Sequence, residues 1–588
     1  MGLPASWSTV QRWLSPPQRP YVPPPRHTPA APKKCPEVPS LPCYKLTPPD
    51  FFWDSFPFRP LPSVPTTPVK VPILADMLRI YDHALTSPER IRGQTVLREL
   101  LSGVDALQLF VLPGDFIPNS GSVLEHGEMF TDVLANWIKQ GFVAGPFFDP
   151  PFPEFRANSM MAVKQKEKVR IVMNLSSPKG MCFNDAVDAD SLEKVYMATA
   201  KSVGYAILEC GKHARLWKFD MSDAYKNLPA KLADLRLQGF SWLQAFFVET
   251  QQAFGARTAV AAFDRLGNTI MTLAICATGI PRHLVFRTLD DVPVVTPAAS
   301  PDGPRFCAQY KMICKNLNVK LAATCPKFEK SFEDSTKGTI LGIMFDTARL
   351  TWTISPAKRD AILSDIAFPL AGQLIALEEM QHLMGALNDF GQMCPFLQAF
   401  RLPLNNFLAD LLSDPDLPMP MPPQAMADLR IWAAAVAATV VPLPIPSRPL
   451  PPSYSAIQFV SDAAGARYVK VKRKRVPCET PGVRGAASVG ISESGQIWFC
   501  CRVTWPTHLL LHAQDELGKA YGCKSTTLEM IGVMLPLLTV PHLLRGRELC
   551  LYVDNIAVVY GWQNRGVKND LSASVLIRAL HIIAAFLG

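Results

Sequence analysis

Apolar residues change their spacing several times along the chain, and each change marks a segment. Leu74, Leu78, Ile80, Leu97, Leu100 and Leu101 recur at helical intervals, so residues 71–120 are expected to form a helical N-terminal extension. From Gly121 to about Asp360 helical and strand-like runs alternate, the pattern of one α+β domain, bounded at residues 121–365. Leu377, Met380, Leu383, Met384 and Leu387 then form a helical stripe that ends near Pro395, and core packing accounts for it. Residues 414–453 are rich in proline and predict a linker with one short helix around Met426–Ala437. In the remainder, 454–588, Ile457–Val460 and Ala486–Val503 alternate in the manner of strands. No internal repeat is visible.

Ahead of these segments the periodicity vanishes. Of the 55 prolines, 19 lie in the first 70 residues, and runs such as Pro23-Pro24-Pro25 favour solvated polyproline II, so residues 1–70 read as a disordered arm. The rest is compositionally ready to fold, being 48% hydrophobic and only 19% charged over 588 residues, enough for several domains. A formal charge of +9 favours an anionic partner, nucleic acid first. The 14 cysteines are scattered without C-x-x-C spacing, which excludes a disulfide scaffold or zinc knuckle and suits a reducing compartment. We therefore expect an intracellular protein, cytoplasmic or nuclear and not secreted. The longest apolar stretches, Ile431–Pro442 and Leu571–Gly588, are broken by Pro, Arg or His, so no membrane span is expected. Met1–Ser6 fits the loose pattern for N-terminal myristoylation, a pattern short enough to match by chance.

Two acidic sites stand out against this background. One is Lys218-Phe219-Asp220-Met221-Ser222-Asp223-Ala224-Tyr225; the other is Thr288-Leu289-Asp290-Asp291-Val292 between the apolar runs Leu284–Phe286 and Val292–Val295. Apolar runs around a short acidic tip predict a β-hairpin that presents adjacent carboxylates. Such like charges are costly to desolvate unless a cation lies between them. Carboxylate-held divalent ions are what in-line phosphoryl transfer requires, so Asp220, Asp290 and Asp291 are the candidate metal ligands.

The order and context of these residues resemble the reverse transcriptase family, in its retrotransposon branch and particularly the DIRS-like elements. The resemblance runs from about Phe130 to Asp346, with family-like features beyond. It implies a right-hand polymerase with fingers and palm over 121–365 and a helical thumb or connection over 366–413, where Gln381–Leu402 carries the likeness. It also implies Mg²⁺ or Mn²⁺ as cofactor, and a primed RNA or DNA template and deoxynucleoside triphosphates as partners. Phe130–Gly141 resembles the helix that opens the fingers and Lys164–Leu175 the basic fingers hairpin; Arg170, helped by Lys164 or Lys166, would grip the incoming triphosphate. Asp220 matches the first metal-binding aspartate and Tyr225 the bulky gate beneath the sugar. Ala253–Ala259 resembles the template-grip segment, where Gly255 would let backbone approach closely. Asp290 and Asp291 match the YxDD pair, with Thr288 where Tyr or Phe is usual. Lys327 or Lys330 occupies the place of the residue that protonates pyrophosphate. Leu341–Asp346 resembles the strand that grips the primer.

A second acidic set follows in the order strand-Asp462, helix-Glu529, strand-Asp554, which resembles the metal-binding carboxylates of the RNase H domain of the same elements. Residues 454–588 are thus expected to be a partial RNase H-like α/β domain, C-terminally truncated and of uncertain nuclease activity, with Asp570 no substitute for the final aspartate. Lys470–Arg475, in an enlarged segment after Asp462, reads equally as a phosphate contact or a solvated loop. The expectation is an RNA-directed DNA polymerase, a nucleotidyltransferase from a larger element or a derived copy. Its rivals are a non-catalytic nucleic-acid-binding relic and an interaction protein acting through the Pro-rich arm.

Overall fold

The last part of the expected disordered arm has structure of its own: Arg59 bridges to Gly145, the Thr67 hydroxyl donates to the Asn227 carbonyl at 2.7 Å and Val69 is buried. Two helices follow whose spacing matches the apolar pattern. In this computed structural model they are α1 (Val71–Ile80) and α2 (Ser87–Ser102). The structure describes residues 52–588 except 110–111, 113, 166–167, 324–330, 447–456, 465–467, 472–473, 478–484, 493–495, 505–512, 515–519, 522–524, 546, 548, 565–570 and 588. The expected arm up to residue 51, Lys166, Lys327, Lys330 and Asp570 thus lie outside the described residues, as do parts of the basic segment and of the expected linker. Helix α2 starts in a capping box in which the Thr86 amide donates to Glu89 Oε2 at 2.8 Å, and it stops at Gly103 with φ +84°. Val96 and Leu100 on its inner face are buried with Leu74 of α1 against a long central helix.

Helix α3 (Gly127–Gln140) buries Phe130, Leu134 and Ile138 and ends at left-handed Gly141. It leads to β1 (Val143–Phe147) and then to an antiparallel hairpin, β2 (Ser159–Gln165) with β3 (Lys168–Asn174). After α4 (Ala200–Cys210), strand β4 (Arg215–Asp220) runs through the middle of a three-stranded antiparallel sheet. Strands β5 (Gly239–Trp242) and β6 (Ala245–Glu249) pair with β1 in a separate sheet. The central helix α5 (Arg257–Thr278) follows, and by length and composition it matches a membrane span, which the interrupted apolar runs did not suggest. Its apolar residues are buried instead, Phe263, Leu266, Ile270 and Leu273 completely, in a core shared with β4 and α2. β7 (Asp291–Thr296) is one neighbour of β4; α6 (Asp302–Leu317) packs against them, and β8 (Phe332–Ser335) is the other neighbour. Gly303 opens α6 where a Cβ would stand 2.0 Å from the Trp217 ring, so a side chain there would push the helix off the sheet.

The segment expected as one primer-grip strand, Leu341–Asp346, is instead a turn and a strand. Leu341 and Gly342 both have positive φ and join β9 (Lys337–Ile340) to β10 (Ile343–Asp346) as a tight hairpin. Strand β11 (Thr351–Ile354) extends this sheet. The expected boundary at 365/366 falls inside α7 (Pro356–Leu370). α8 (Leu377–Gly391) carries the predicted stripe, of which Met380, Leu383, Met384 and Leu387 are buried, and α9 (Leu402–Ser413) follows.

The described part of the Pro-rich stretch contains the expected helix, longer than predicted and packed into a core. This is α10 (Pro423–Ala438), a helix of 16 residues that buries Ala425, Leu429, Trp432 and Val436 in the same core as α8 and α9. Trp432 is fully buried and its indole N–H donates to the Phe400 carbonyl at 3.2 Å. β12 (Leu443–Pro444) then pairs with β11. Prolines here sit in the first turn of helices and at sheet edges, positions that need no amide donor.

The C-terminal sheet has β13 (Ile457–Ala464), β14 (Gly485–Ile491), β15 (Ile497–Thr504) and, after α11 (Ser525–Thr539), β16 (Leu549–Val553), in the order β15–β14–β13–β16. Only the β13–β16 pair is parallel. Phe459 of β13 is buried beneath Met530 and Val533 of α11. α12 (Ile556–Asn564) and α13 (Leu571–Leu587) complete this layer, and Arg578 of α13 is paired with Asp428 of α10 at 2.8 Å.

Candidate metal-binding carboxylate site

Strand β4 is apolar except for Arg215, Lys218 and its last residue, Asp220. Antiparallel pairing with β7 places Asp220 directly opposite Asp291, with Phe219 facing Val292 and Lys218 facing Pro293. The predicted hairpin before β7 is present but short-armed. The Thr288 and Asp291 amides each donate to the other's carbonyl at 2.8 Å, so Leu289 and Asp290 form a two-residue turn. Leu289 occupies it at φ +52°, a left-handed conformation costing an L-residue about 1–2 kcal/mol. The tip is held down by the Met221 amide donating to the Asp290 carbonyl at 2.9 Å, and the Ala322 amide donates to that of Asp220 at 2.8 Å.

This geometry gathers Asp220, Asp290 and Asp291, seventy residues apart in sequence, so that one oxygen of each lies within 4.8 Å of the others. Asp290 is exposed; the other two are half-buried. Burial pushes the Asp291 carboxyl up to about 6, the Lys218 ammonium opposes this, and Asp290 and Asp220 add to the rise. A cluster of hard oxygen donors that resists full ionisation by itself is suited to a divalent Mg²⁺ or Mn²⁺. Lys218, whose role the sequence left unassigned, places Nζ 3.1 Å from Asp291 Oδ2. A lysine inside an otherwise apolar strand, two residues before an aspartate and therefore on its face, was the available signal.

Tyr225 lies in a short 3-10 turn, Ala224–Asn227, half-buried between Phe254 and Phe263, edge-on to both with ring centroids at 4.9 and 5.8 Å. Burial raises its phenol, and the nearby Asp290 charge adds to this. Gly255, at φ +102°, comes close to backbone as expected, but the neighbour is the hairpin: a Cβ there would meet the Met173 carbonyl at 3.0 Å. Its own carbonyl accepts from Asn184 Nδ2 at 2.8 Å. Lys164 and Arg170 lie on the β2–β3 hairpin with exposed side chains. Next in sequence to Tyr225, Lys226 forms a buried ion pair with Glu249 and lies over the Trp137 ring, which the sequence did not single out. Nor did it single out Arg287, buried three residues before Asp290.

The second acidic set also converges. Asp462 near the end of β13, Glu529 in the first turns of α11 and Asp554 just after β16 each offer an oxygen within 4.8 Å of the others. Parallel pairing of β13 with β16 brings the two strand ends together, and Glu529 drops onto them from the helix above. Glu529 is buried, and its Oε2 has no hydrogen-bond partner among the described residues. Burial pushes its carboxyl up to about 7, with Asp554 and Asp462 contributing. An orphaned buried oxygen facing two carboxylates fits a divalent cation as its partner.

No protein-family model matches the chain. No curated protein matches it by sequence. Among solved structures it is similar to a foamy viral protease-reverse transcriptase dRH in complex with double-stranded DNA, at 13% identity over 91% of this chain and 83% of that one, with a TM-score of 0.43. It is also similar to the foamy viral protease-reverse transcriptase with an RNA/DNA hybrid (12% identity, 90% and 63% covered, TM-score 0.44) and with double-stranded DNA (12%, 89% and 96%, 0.41). At these TM-scores the likeness is coarse, and what the chain does has to be decided by its carboxylates.

Proposed function

We propose that the chain is an RNA-directed DNA polymerase of a retrotransposon, of the DIRS-like branch that its motifs resemble. The observation that carries the reading is the convergence of Asp220, Asp290 and Asp291 at the end of the β4–β7 ladder. In this reading β4, β7, β8 and α5 are the palm, the β2–β3 hairpin belongs to the fingers, and α8 and α9 to the thumb or connection. Divalent Mg²⁺ or Mn²⁺, when bound, would supply Lewis-acid activation of a primer 3′-hydroxyl and charge neutralisation on the leaving pyrophosphate. Asp220, Asp290 and Asp291 would hold it. Lys218 keeps Asp291 in place and offsets part of the charge that three carboxylates build up. Arg170, exposed on the hairpin, would meet the triphosphate, with Lys164 on the other face of the same ladder, and Tyr225 would present its ring to the sugar, excluding a 2′-hydroxyl.

The second cluster, Asp462, Glu529 and Asp554, is read as a hydrolytic metal site of RNase H type acting on the RNA of a hybrid. The competing reading is a relic that binds nucleic acid without chemistry, with Thr288 in the aromatic position of the pair as its support. Primer extension by the purified chain with Mg²⁺ or Mn²⁺ separates the two. Asp290→Asn should abolish extension while primer–template binding, carried by phosphate contacts and weakened by salt, remains. Extension by the Asn variant at the wild-type rate would sink the assignment, and binding without extension by either protein would establish the relic.

A further inference from the structure

Arg287 is the most deeply buried arginine near the carboxylates, with 4% of its side chain exposed. It stands on the first arm of the hairpin whose tip is Asp290, yet its side chain leaves that arm and enters α5. There Nη1 donates to the Asp264 carbonyl at 2.9 Å and to the Asp264 carboxylate, and Nη2 donates to the Phe263 carbonyl at 3.0 Å. The guanidinium also covers the Phe263 ring, with Cζ 5.3 Å from its centroid. Room for it exists only because α5 carries glycine at 267: a Cβ there would lie 2.2 Å from Nη2 and 2.4 Å from Cζ. Glycine in a helix interior costs about 1 kcal/mol against alanine, so its place at this contact needs a reason, and the arginine supplies one. The same Phe263 ring also packs against Tyr225, with centroids 5.8 Å apart.

One side chain thus joins the hairpin that carries Asp290 and Asp291 to the helix that backs Tyr225. We propose that Arg287 is a positioning residue that sets the carboxylate hairpin and the Tyr225 platform at a fixed spacing, so that metal binding and sugar selection are adjusted together. This rests on the polymerase reading for the sugar and on the carboxylate cluster alone for the metal. Arg287 touches neither the metal ligands nor, by its burial, any substrate; it acts through the α5 carbonyls, the Asp264 carboxylate and the Phe263 ring, and its charge reaches Asp290 only through space. A planar fork with several donors can hold two carbonyls, a carboxylate and a ring face at once, which lysine or methionine cannot.

The test uses the full chain and three variants, Arg287→Met, Gly267→Ala and the double change, with Mn²⁺ as the probe. Mn²⁺ affinity is measured by titration, and the ratio of deoxy- to ribonucleotide incorporation by single-nucleotide extension. Gly267→Ala, which keeps the charge, should weaken Mn²⁺ binding at least fivefold, and each single variant should lower the incorporation ratio at least tenfold. Alanine at 267 pushes the guanidinium out of its slot, so its effect should disappear when Arg287 is already methionine. Gly267→Ala adds a favourable helix residue and keeps the test open if Arg287→Met does not fold. Folded single variants with wild-type Mn²⁺ affinity and incorporation ratio, differing only in melting temperature, would overturn the proposal. Losses that multiply in the double variant would do the same. If wild-type protein binds Mn²⁺ but extends nothing, the polymerase reading fails by itself, and the Mn²⁺ affinities alone decide the role of Arg287.

Discussion

Lys218 Nζ lies 3.1 Å from Asp291 Oδ2 across the β4–β7 ladder, so a nearly buried cation is built into the acidic cluster. Removing that cation in Lys218→Met should make the site more attractive to Mn²⁺ at pH 8. Coulomb's law at an effective dielectric near 20 gives about 1–3 kcal/mol for unit charges several ångströms apart, or roughly five- to 150-fold in affinity. The pH dependence should steepen. Asp291 already holds its proton up to about pH 6 because of burial, and loss of the opposing Lys218 charge moves that limit higher. Metal must displace this proton, so the gain of the variant over wild type should shrink at pH 5.5. Equal affinities at both pH values would show that Lys218 is only packing.

The indole of Trp432 fixes the status of α10. Replacing a fully buried tryptophan with alanine costs about 3–5 kcal/mol, and here the Phe400 carbonyl loses its donor as well. Trp432→Ala should therefore lower the melting temperature by several degrees and bring forward unfolding of the α8–α9 core. A helix in a loose linker would give no such change, and an unaltered melting curve would restore the linker.

Asp428 and Arg578 join α10 to α13 across 150 residues of sequence, and 4% of the Asp428 side chain is exposed. Burial pushes the Asp428 carboxyl up to about 6 despite Arg578. Taking away Arg578 leaves a buried carboxylate without its counter-charge, a loss of about 3–5 kcal/mol when the acid is ionised. The folded-state value lies above the unfolded one, so stability is fully present below the unfolded value near 3.8 and declines as pH rises through about 6. In Arg578→Met the decline should deepen. The loss in melting temperature is expected to be large at pH 8 and small at pH 5; equal losses at both would locate the effect in packing against the Phe400 ring instead.

Glu529 makes the second acidic cluster strained when metal-free. Its carboxyl is raised to about 7 by burial, with Asp554 and Asp462 adding, so stability is full below the unfolded value of 4.5 and is lost as pH rises through about 7. Glu529→Gln removes the charge while keeping the shape. It should raise the melting temperature at pH 8.5 and leave it almost unchanged at pH 5. Mn²⁺ should stabilise wild type at pH 8.5 and stabilise the variant much less. A variant that melts below wild type at pH 8.5, or gains equally from Mn²⁺, would remove Glu529 from the metal site.

The sequence by itself determined the parts that depend on neighbours in the chain. Alternation located the strands over Ile457–Val460 and Ala486–Val503, because side chains on one face of a strand recur at every second residue, while the β2–β3 hairpin was expected from the family resemblance. The acidic tip between two apolar arms identified Asp290 and Asp291, and the stripe from Leu377 to Leu387 identified a core helix. Only the tertiary structure decided what depends on pairing between distant segments. That Asp220 stands opposite Asp291 is a matter of strand register, and a slip of one residue would turn one carboxylate to the other face. Arg287 looked like one more charged residue until α5 arrived beside it with a glycine at the point of contact. Residues 414–453 looked like a linker because proline content describes the local backbone, whereas Trp432 and Asp428 are held by partners far away in sequence. Which acids face one another, and which cation stands between them, follows from how the chain closes on itself, because electrostatic and packing energies act through space rather than along the sequence.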